Sequence, residues 1–349
     1  MEAELPMVSV LVPVRNEARC IGVCLESILA QDYPPEKIEI LVMDGNSTDA
    51  TVSIVRNFAK MTGRVRCIDN PGQLASAALN IGILESAGSI LIRMDAHGKA
   101  PSNYVSCVVR HLLARNVDHV GVKQRAVGKS FWGRSIAFGM MNPFGVGGSK
   151  HRCALNDGSE EAGWSGGFIK SRLVRMGGFD ETVGPNDDDD FFFRLQKSGG
   201  TLYRTAEVEI DYYCRTSLWL LWNQFYRYGY FKPHVICKNR HAYPRHFVPP
   251  CFVAALLMLT LLSTWNSLAA GALAILGGLY GGVSLMLAAR AVQHVGVSVA
   301  ASLPITFAVL HVSYGSGFLL GLVRLIVRGL PQPCQLIRAP VQSTIDGGP

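Results

Sequence analysis

Three groups of residues carry the side chains that chemistry needs. The first is Asp95 and His97, in the run Ile90-Leu91-Ile92-Arg93-Met94-Asp95-Ala96-His97. A carboxylate and an imidazole two residues apart on an extended segment point to the same side. They can share one divalent cation, and Mn2+ or Mg2+ held by one or two side chains completes its shell with substrate phosphates and water. That geometry fits a nucleotide diphosphate; the same pair also fits a helix-capping carboxylate beside a solvated imidazole.

The second group is Asp187-Asp188-Asp189-Asp190, which lies between Gly177-Gly178-Phe179-Asp180-Glu181 and Phe191-Phe192-Phe193-Arg194. Adjacent carboxylates repel one another, so such a run is either a solvated turn or a cation site. The three phenylalanines drive the following turn into a core. They can thereby hold one or two of the acids at a pocket mouth, where partial burial raises a carboxyl pKa toward that of a useful base. Arg194 would pair with Asp190 across one helical turn. The third group is Gln224 and Arg227, three apart on one helix face, able to reach a diphosphate or a sugar hydroxyl near a membrane. Contact of Arg227 with a lipid headgroup fits equally well.

The elements that must position these groups alternate regularly. Val8 to Val12, Ile38 to Met43, Val65 to Ile68 and Ile90 to Met94 read as strands, each separated from the next by a helix-period segment. Asn16 is expected to cap the first helix, and Asn46-Ser47-Thr48-Asp49 to form a turn and cap for the second. Four such alternations predict an α/β, mostly parallel, Rossmann-like sheet whose ligands bind beyond the carboxyl ends of the strands, where Pro13, Arg15, Glu17, Asp44 and Asp95 fall. Phe144-Gly145-Val146-Gly147-Gly148 and Gly163-Trp164-Ser165-Gly166-Gly167 read as glycine loops suited to a pocket floor. The first lacks the third glycine of a dinucleotide fingerprint.

Beyond residue 216 the chain changes character. Residues 217–246 hold an aromatic-rich segment, Leu218 to Phe231, and a basic collar that includes Arg227, Lys232, Lys238, Arg240 and Arg245. This suits an interfacial helix facing anionic headgroups, or an amphipathic core helix. From Phe247 to Val323 the only formal charge is Arg290. Spans over Phe247 to Trp265, Leu268 to Ala289 and Val295 to Val323 make an all-α transmembrane tail within 247–325, ahead of a short terminal stretch, 326–349. With the head, residues 1–216, in the cytoplasm, three spans would put Arg324, Arg328 and Arg338 outside, against the positive-inside bias. Either the last segment crosses twice, as a fourth span, or the bias is broken.

A hydrophobic fraction of 49% with 17% charged residues excludes disorder and a wholly soluble protein. The net charge of +7 is too diffuse for nucleic acid. Nine scattered cysteines without a Cys-x-x-Cys pair suggest reduced thiols. Glu2 and Glu4 lead straight into a strand, so no signal peptide is expected. An integral protein of a bacterial-type inner or plasma membrane follows, its oligomeric state open.

Val10-Leu11-Val12-Pro13-Val14-Arg15-Asn16-Glu17, Asp44-Gly45-Asn46-Ser47-Thr48-Asp49, Asp95-Ala96-His97, the Gly-Gly-Phe-Asp-Glu segment with its acidic run, and Gln224 to Arg227 together resemble a family 2 inverting glycosyltransferase with a GT-A fold. Asp95-Ala96-His97 and Phe144 to Ser149 are most similar to the ExoA-type succinoglycan glucosyltransferases. The resemblance implies a UDP-sugar donor and a polyprenyl-linked acceptor, with transfer of one sugar per acceptor. It implies that Pro13, Arg15, Glu17, Asp44, Asn80 and Asp95 bind the nucleotide sugar, with Mn2+ or Mg2+ on Asp95 and His97. It makes Asp188 the general base, with Asp187 and Asp190 as rivals, and gives the acceptor and diphosphate to Trp164, Gln224 and Arg227. Transfer to polyprenyl phosphate itself, or a non-catalytic nucleotide-sugar-binding scaffold, are the competing readings.

Overall fold

Val8, Val10 and Val12, like Ile38, Ile40 and Val42, fill one face of their strands while Leu11, Leu41 and Met43 fill the other. Strands buried on both faces are what a helix-covered parallel sheet requires. The computed structural model describes residues 4–153, 156–158 and 165–330. Its elements run β1 (Val8–Val14), α1 (Ile21–Leu29), β2 (Ile38–Asp44), α2 (Thr51–Thr62), β3 (Val65–Asp69), α3 (Ala75–Glu85), β4 (Ile90–Arg93), β5 (Gly98–Lys99), α4 (Tyr104–Arg115), β6 (His119–Val127) and α5 (Phe131–Met141). They continue with α6 (Pro143–Val146), α7 (Lys150–Cys153), β7 (Gly166–Ile169), α8 (Lys170–Arg175), α9 (Asp187–Lys197), β8 (Leu202–Tyr213), α10 (Leu218–Asn239), α11 (Val248–Leu262), α12 (Ser267–Val295) and α13 (Val297–Arg328).

The sheet order is β3-β2-β1-β4-β7-β6-β8-β5. β1 to β4 pair in parallel, as the alternation predicts. The other half is mixed: β7 is antiparallel to both β4 and β6, and β5 is antiparallel to β8. A parallel neighbour needs a connection that returns to the starting edge. α5 instead stays beyond the carboxyl end of β6 and packs on α13, so β7 enters where β6 leaves, with Gly121 opposite Gly166. Gly166 is obligatory there, because its φ is 146° and a Cβ would lie 2.0 Å from the Val120 carbonyl oxygen.

Two local expectations are corrected. Asn16 does not cap α1, which starts after Cys20 without a side-chain cap. Asn16 adopts a left-handed φ of 55° and its Oδ1 accepts from Thr48 N at 2.8 Å, stapling the β1 loop to the β2 loop. Phe144 to Gly148 is not a pocket floor: Phe144 and Val146 pack into the cluster around Leu303, Phe307 and Leu310 of α13. A Cβ on Gly145 would meet the Gly139 carbonyl oxygen at 2.1 Å.

Among the described residues, three helices are long and apolar enough to cross a membrane: Pro244–Leu262, Ser267–Val295 and Val297–Arg328. The last is one continuous helix, so the segment does not fold as a re-entrant hairpin. α13 is the most enclosed of the three. Thr306 and Ser302 bond Ser135 of α5 at 2.7 and 2.9 Å, and His311 Nε2 meets the Phe144 carbonyl oxygen at 2.7 Å. Cβ atoms on Gly317 and Gly321 would lie 2.1 Å from the carbonyl oxygens of Tyr226 and Tyr230, so these glycines let α10 and α13 touch backbone to backbone. The Arg324 guanidinium then sits 5.5 Å from the Tyr230 ring centroid. α13 therefore packs on α5 of the head through Ser302 and Thr306 and on α10 through Gly317, Gly321 and Arg324.

Candidate active site

The site forms where β1 and β4 part. Leu11 O accepts from Met94 N at 3.0 Å, and strand alternation turns the Pro13 nitrogen to the same side, where β4 has already ended. A proline, which has no N–H to donate, fits that position. Asp44 closes β2 across from it. Its Oδ2 accepts from Ser47 N at 3.0 Å, while its Oδ1 is buried with no hydrogen-bond partner among the described residues. A buried acceptor left open calls for a ligand N–H or O–H. Arg15 is exposed on the lip beside Gly45.

Asp95 and His97 follow β4. His97 Nδ1 lies 3.3 Å from Glu17 Oε1 and Nε2 lies 3.9 Å from Asp95 Oδ2. Nε2 is buried and has no hydrogen-bond partner among the described residues. With the Nδ1 proton on the side of Glu17, Nε2 is the nitrogen that keeps a lone pair, on the side of Asp95. A carboxylate orienting a ligating imidazole through its other nitrogen is the usual support of a metal-bound histidine. Two donors about 2.1 Å from a common ion can stand up to about 4 Å apart, so Asp95 and His97 fit a divalent cation. Arg215 Nη1 lies 3.9 Å from Glu17 Oε1. It lines a cavity of about 450 Å³ together with Asn16, Glu17, Arg19, His97 and Lys129.

The acidic run occupies the first turn of α9, where the helix dipole favours negative charge. Its four members have different partners. Asp187 receives Nη1 of the buried Arg93 at 2.9 Å, and the Arg93 Nε stands 3.8 Å from Asp95 Oδ1. Burial still raises the Asp187 carboxyl, opposed chiefly by Arg93. Asp189 pairs with Lys232, which outweighs burial and holds the carboxyl below its ordinary range. Asp190 is fully buried and takes Arg194 at 2.9 Å, Lys238 at 2.7 Å and Asn239 at 2.8 Å. Asp188 forms no ion pair among the described residues. Burial first, then the negative charges of Asp189 and Asp187, push its carboxyl up to about 7.

Of the other predicted residues, Asn80 and Gln224 are held by partners of their own. Asn80 is committed to the backbone of Phe179, donating to its carbonyl at 2.9 Å and accepting from its N–H at 2.8 Å, with Glu181 Oε1 at 3.0 Å from its nitrogen. That grip sets the approach of the Gly177 to Glu181 segment to α9. Gln224 and Arg227 do not share a role: Gln224 turns inward to Tyr212 and Tyr228, whereas Arg227 is exposed. Trp164 lies outside the described residues.

The sequence reading missed Arg93, Arg215 and Tyr212. Arg93 had a signal, since a lone cation inside Ile-Leu-Ile-Arg-Met must find a buried acid. Elsewhere a three-ligand cluster, Cys107, His111 and Glu207, brings donor atoms within 4.8 Å of one another. There Arg110 holds the Glu207 carboxylate and Arg115 Nε donates to His111 Nδ1 at 3.2 Å. A metal-bound imidazole would instead donate from that nitrogen, so this cluster is an ion-pair network.

Residues 9–161 match the family model of glycosyl transferase family 2. Over 262 residues the chain is 33% identical to the succinoglycan biosynthesis protein ExoA of Rhizobium meliloti (strain 1021), covering 74% of this chain and 79% of that one. It is 25% identical over 251 residues to the dolichyl N-acetyl-alpha-D-glucosaminyl phosphate 3-beta-D-2,3-diacetamido-2,3-dideoxy-beta-D-glucuronosyltransferase of Methanococcus voltae, covering 66% and 74% of the two chains. The solved structure of the mannosyltransferase PcManGT from Pyrobaculum calidifontis in complex with GDP-Man and Mn2+ superposes with a TM-score of 0.57 at 20% identity, over 88% of this chain and 87% of that one. The mixed sheet, with its acids at the carboxyl ends of β2 and β4, has the GT-A fold, and the chain belongs to glycosyltransferase family 2.

Proposed function

We propose that the protein moves a hexose from a nucleotide diphosphate sugar, a UDP-sugar such as UDP-glucose, to a hydroxyl of a saccharide carried on a polyprenyl lipid, inverting the anomeric carbon with Asp188 as general base. The division of labour in the acidic run carries this reading. Asp187, Asp189 and Asp190 are each paired with a cation, whereas Asp188 forms no ion pair among the described residues and its carboxyl, pushed up to about 7, is suited to accept a hydroxyl proton near neutral pH. The base ring meets the open Asp44 Oδ1, with Pro13, Arg15 and Glu17 around the nucleoside. A divalent cation on Asp95 and His97 would offset charge on the departing diphosphate. Arg215, Arg19 and Lys129 add positive charge from the adjoining cavity. As the acceptor oxygen bonds to the anomeric carbon, its proton passes to Asp188 and the bond to the diphosphate breaks on the opposite face.

The apolar tail and the exposed Trp219, Leu220 and Arg227 on α10 support an acceptor whose lipid stays in the membrane, with the basic collar on the cytoplasmic side. The relatives' names, one for succinoglycan biosynthesis and one for a dolichyl-linked sugar phosphate, agree with that class. The test is turnover of detergent-solubilised protein against a panel of nucleotide sugars, with total membrane lipid as acceptor, with and without Mn2+ or Mg2+. Metal-dependent release of UDP from one donor, lost in Asp95→Ala, is expected. Nucleotide binding without consumption of any donor would overturn the proposal in favour of a scaffold.

A further inference from the structure

We infer that Tyr212 is a positioning residue for the His97 imidazole, and that Gln224 of α10 holds Tyr212 in place. The inference rests on the reading of Asp95 and His97 as the cation ligands. An imidazole is free to turn about a broad χ2 torsion, so aiming Nε2 takes more than the single Glu17 contact. The support comes from β8. Tyr213 N donates to His97 O at 2.9 Å and Gly98 stands in register with Tyr212, which fixes the His97 main chain. The Tyr212 ring lies edge to face with the imidazole, 4.7 Å between centroids at 74°. That contact resists rotation of the imidazole away from Asp95.

Tyr212 is itself anchored from the tail. Its buried hydroxyl accepts from Gln224 Nε2 at 3.1 Å, and the same amide nitrogen donates its other hydrogen to Tyr228 OH at 2.9 Å. Gln224 and Tyr228 are one turn apart on α10. The α10 backbone on either side of Tyr228, at Tyr226 and Tyr230, is the surface that Gly317 and Gly321 of α13 press against. The ring that backs the candidate metal ligand is therefore fastened to the helix that the membrane tail clasps. Gln224 thereby supports the metal ligand from behind, through Tyr212.

The experiment is Mn2+ titration of the purified full chain with UDP present, followed by electron paramagnetic resonance, with the 14N modulation of bound Mn2+ as the report on His97. Removing a residue that supports a metal ligand typically weakens metal affinity about 10- to 100-fold. Tyr212→Leu and Gln224→Leu are expected to fall in that range and to weaken the 14N modulation. Tyr212→Phe keeps the ring and loses only its tether, so a smaller, severalfold weakening is expected, and it serves where Tyr212→Leu does not fold. UDP binding in EDTA, which reports the Asp44 side, is expected to stay at the wild-type value in all three. Wild-type Mn2+ affinity in Tyr212→Phe and Gln224→Leu, with His97→Ala weakened, would overturn this inference alone. Wild-type affinity in His97→Ala as well would overturn the metal-ligand reading beneath it.

Discussion

Asp188→Asn separates chemistry from stability, because the same burial that makes Asp188 a base also makes it a burden on the fold. A carboxyl raised from its ordinary 3.8 to about 7 binds its proton more tightly in the folded chain than in the unfolded one. The stability this contributes is complete below about pH 4 and is lost as pH rises through about 7. Carrying one carboxyl over that interval corresponds to roughly 4 kcal/mol, an upper bound on what ionised Asp188 costs at pH 8. Asparagine removes the charge at nearly constant shape. Asp188→Asn is therefore expected to melt several degrees higher than wild type at pH 8, with the gain shrinking toward zero near pH 4. Turnover at pH 8 should drop about 10²- to 10⁴-fold while nucleotide binding persists. In the wild type, kcat/KM should fall about tenfold per pH unit below about pH 7. Melting curves in detergent and UDP release from the same preparation check both arms. Unchanged turnover would remove Asp188 as the base, and a variant less stable than wild type at pH 8 would refute the argument from its environment.

Arg93→Met leaves Asp187 buried without its cation and should cost about 3 to 5 kcal/mol, read as a fall in the denaturation midpoint; retention of wild-type stability would mean that the pair is not the buried contact it looks to be. Gly317→Ala forces a methyl to within 2.1 Å of the Tyr226 carbonyl oxygen, so α10 and α13 must separate, at a cost of about 1 to 3 kcal/mol in thermal melts. Gly278→Ala, on the open face of α12, is the control and should melt with wild type. Because Arg324 packs on Tyr230 of α10, which follows the head directly, a tag placed after Arg328 should be accessible from the same side of the membrane as one placed before Val8, in protease protection of sealed vesicles. Opposite accessibility would sink that reading of the tail.

Local patterns in the sequence carried the parallel half of the fold. β-branched runs closed by Asp44 and Asp95 read correctly because each is decided within a dozen residues by period and turn chemistry. The pairing partners were not legible. Nothing near Asp187 announces Arg93, 94 positions away, and nothing near Asp190 announces Lys238 and Asn239. Yet those partners decide which carboxylate is left to act.

The glycines show the same limit from another side. Gly145 reads locally as freedom to approach a ligand, and so does Gly166, but a missing Cβ admits any close neighbour. Here the neighbours are the chain's own Gly139 and Val120 carbonyls. Gly315 and Gly317 lie in the segment for which a double crossing was one alternative. Instead, they sit in an unbroken helix against Pro249 and Tyr226. A glycine in this sequence marks close approach without naming what approaches. Gly145, beside Leu310, and Gly317, beside Tyr226, are the two of these that bring the head and α10 against the last membrane helix, and neither contact could be read from the glycine itself.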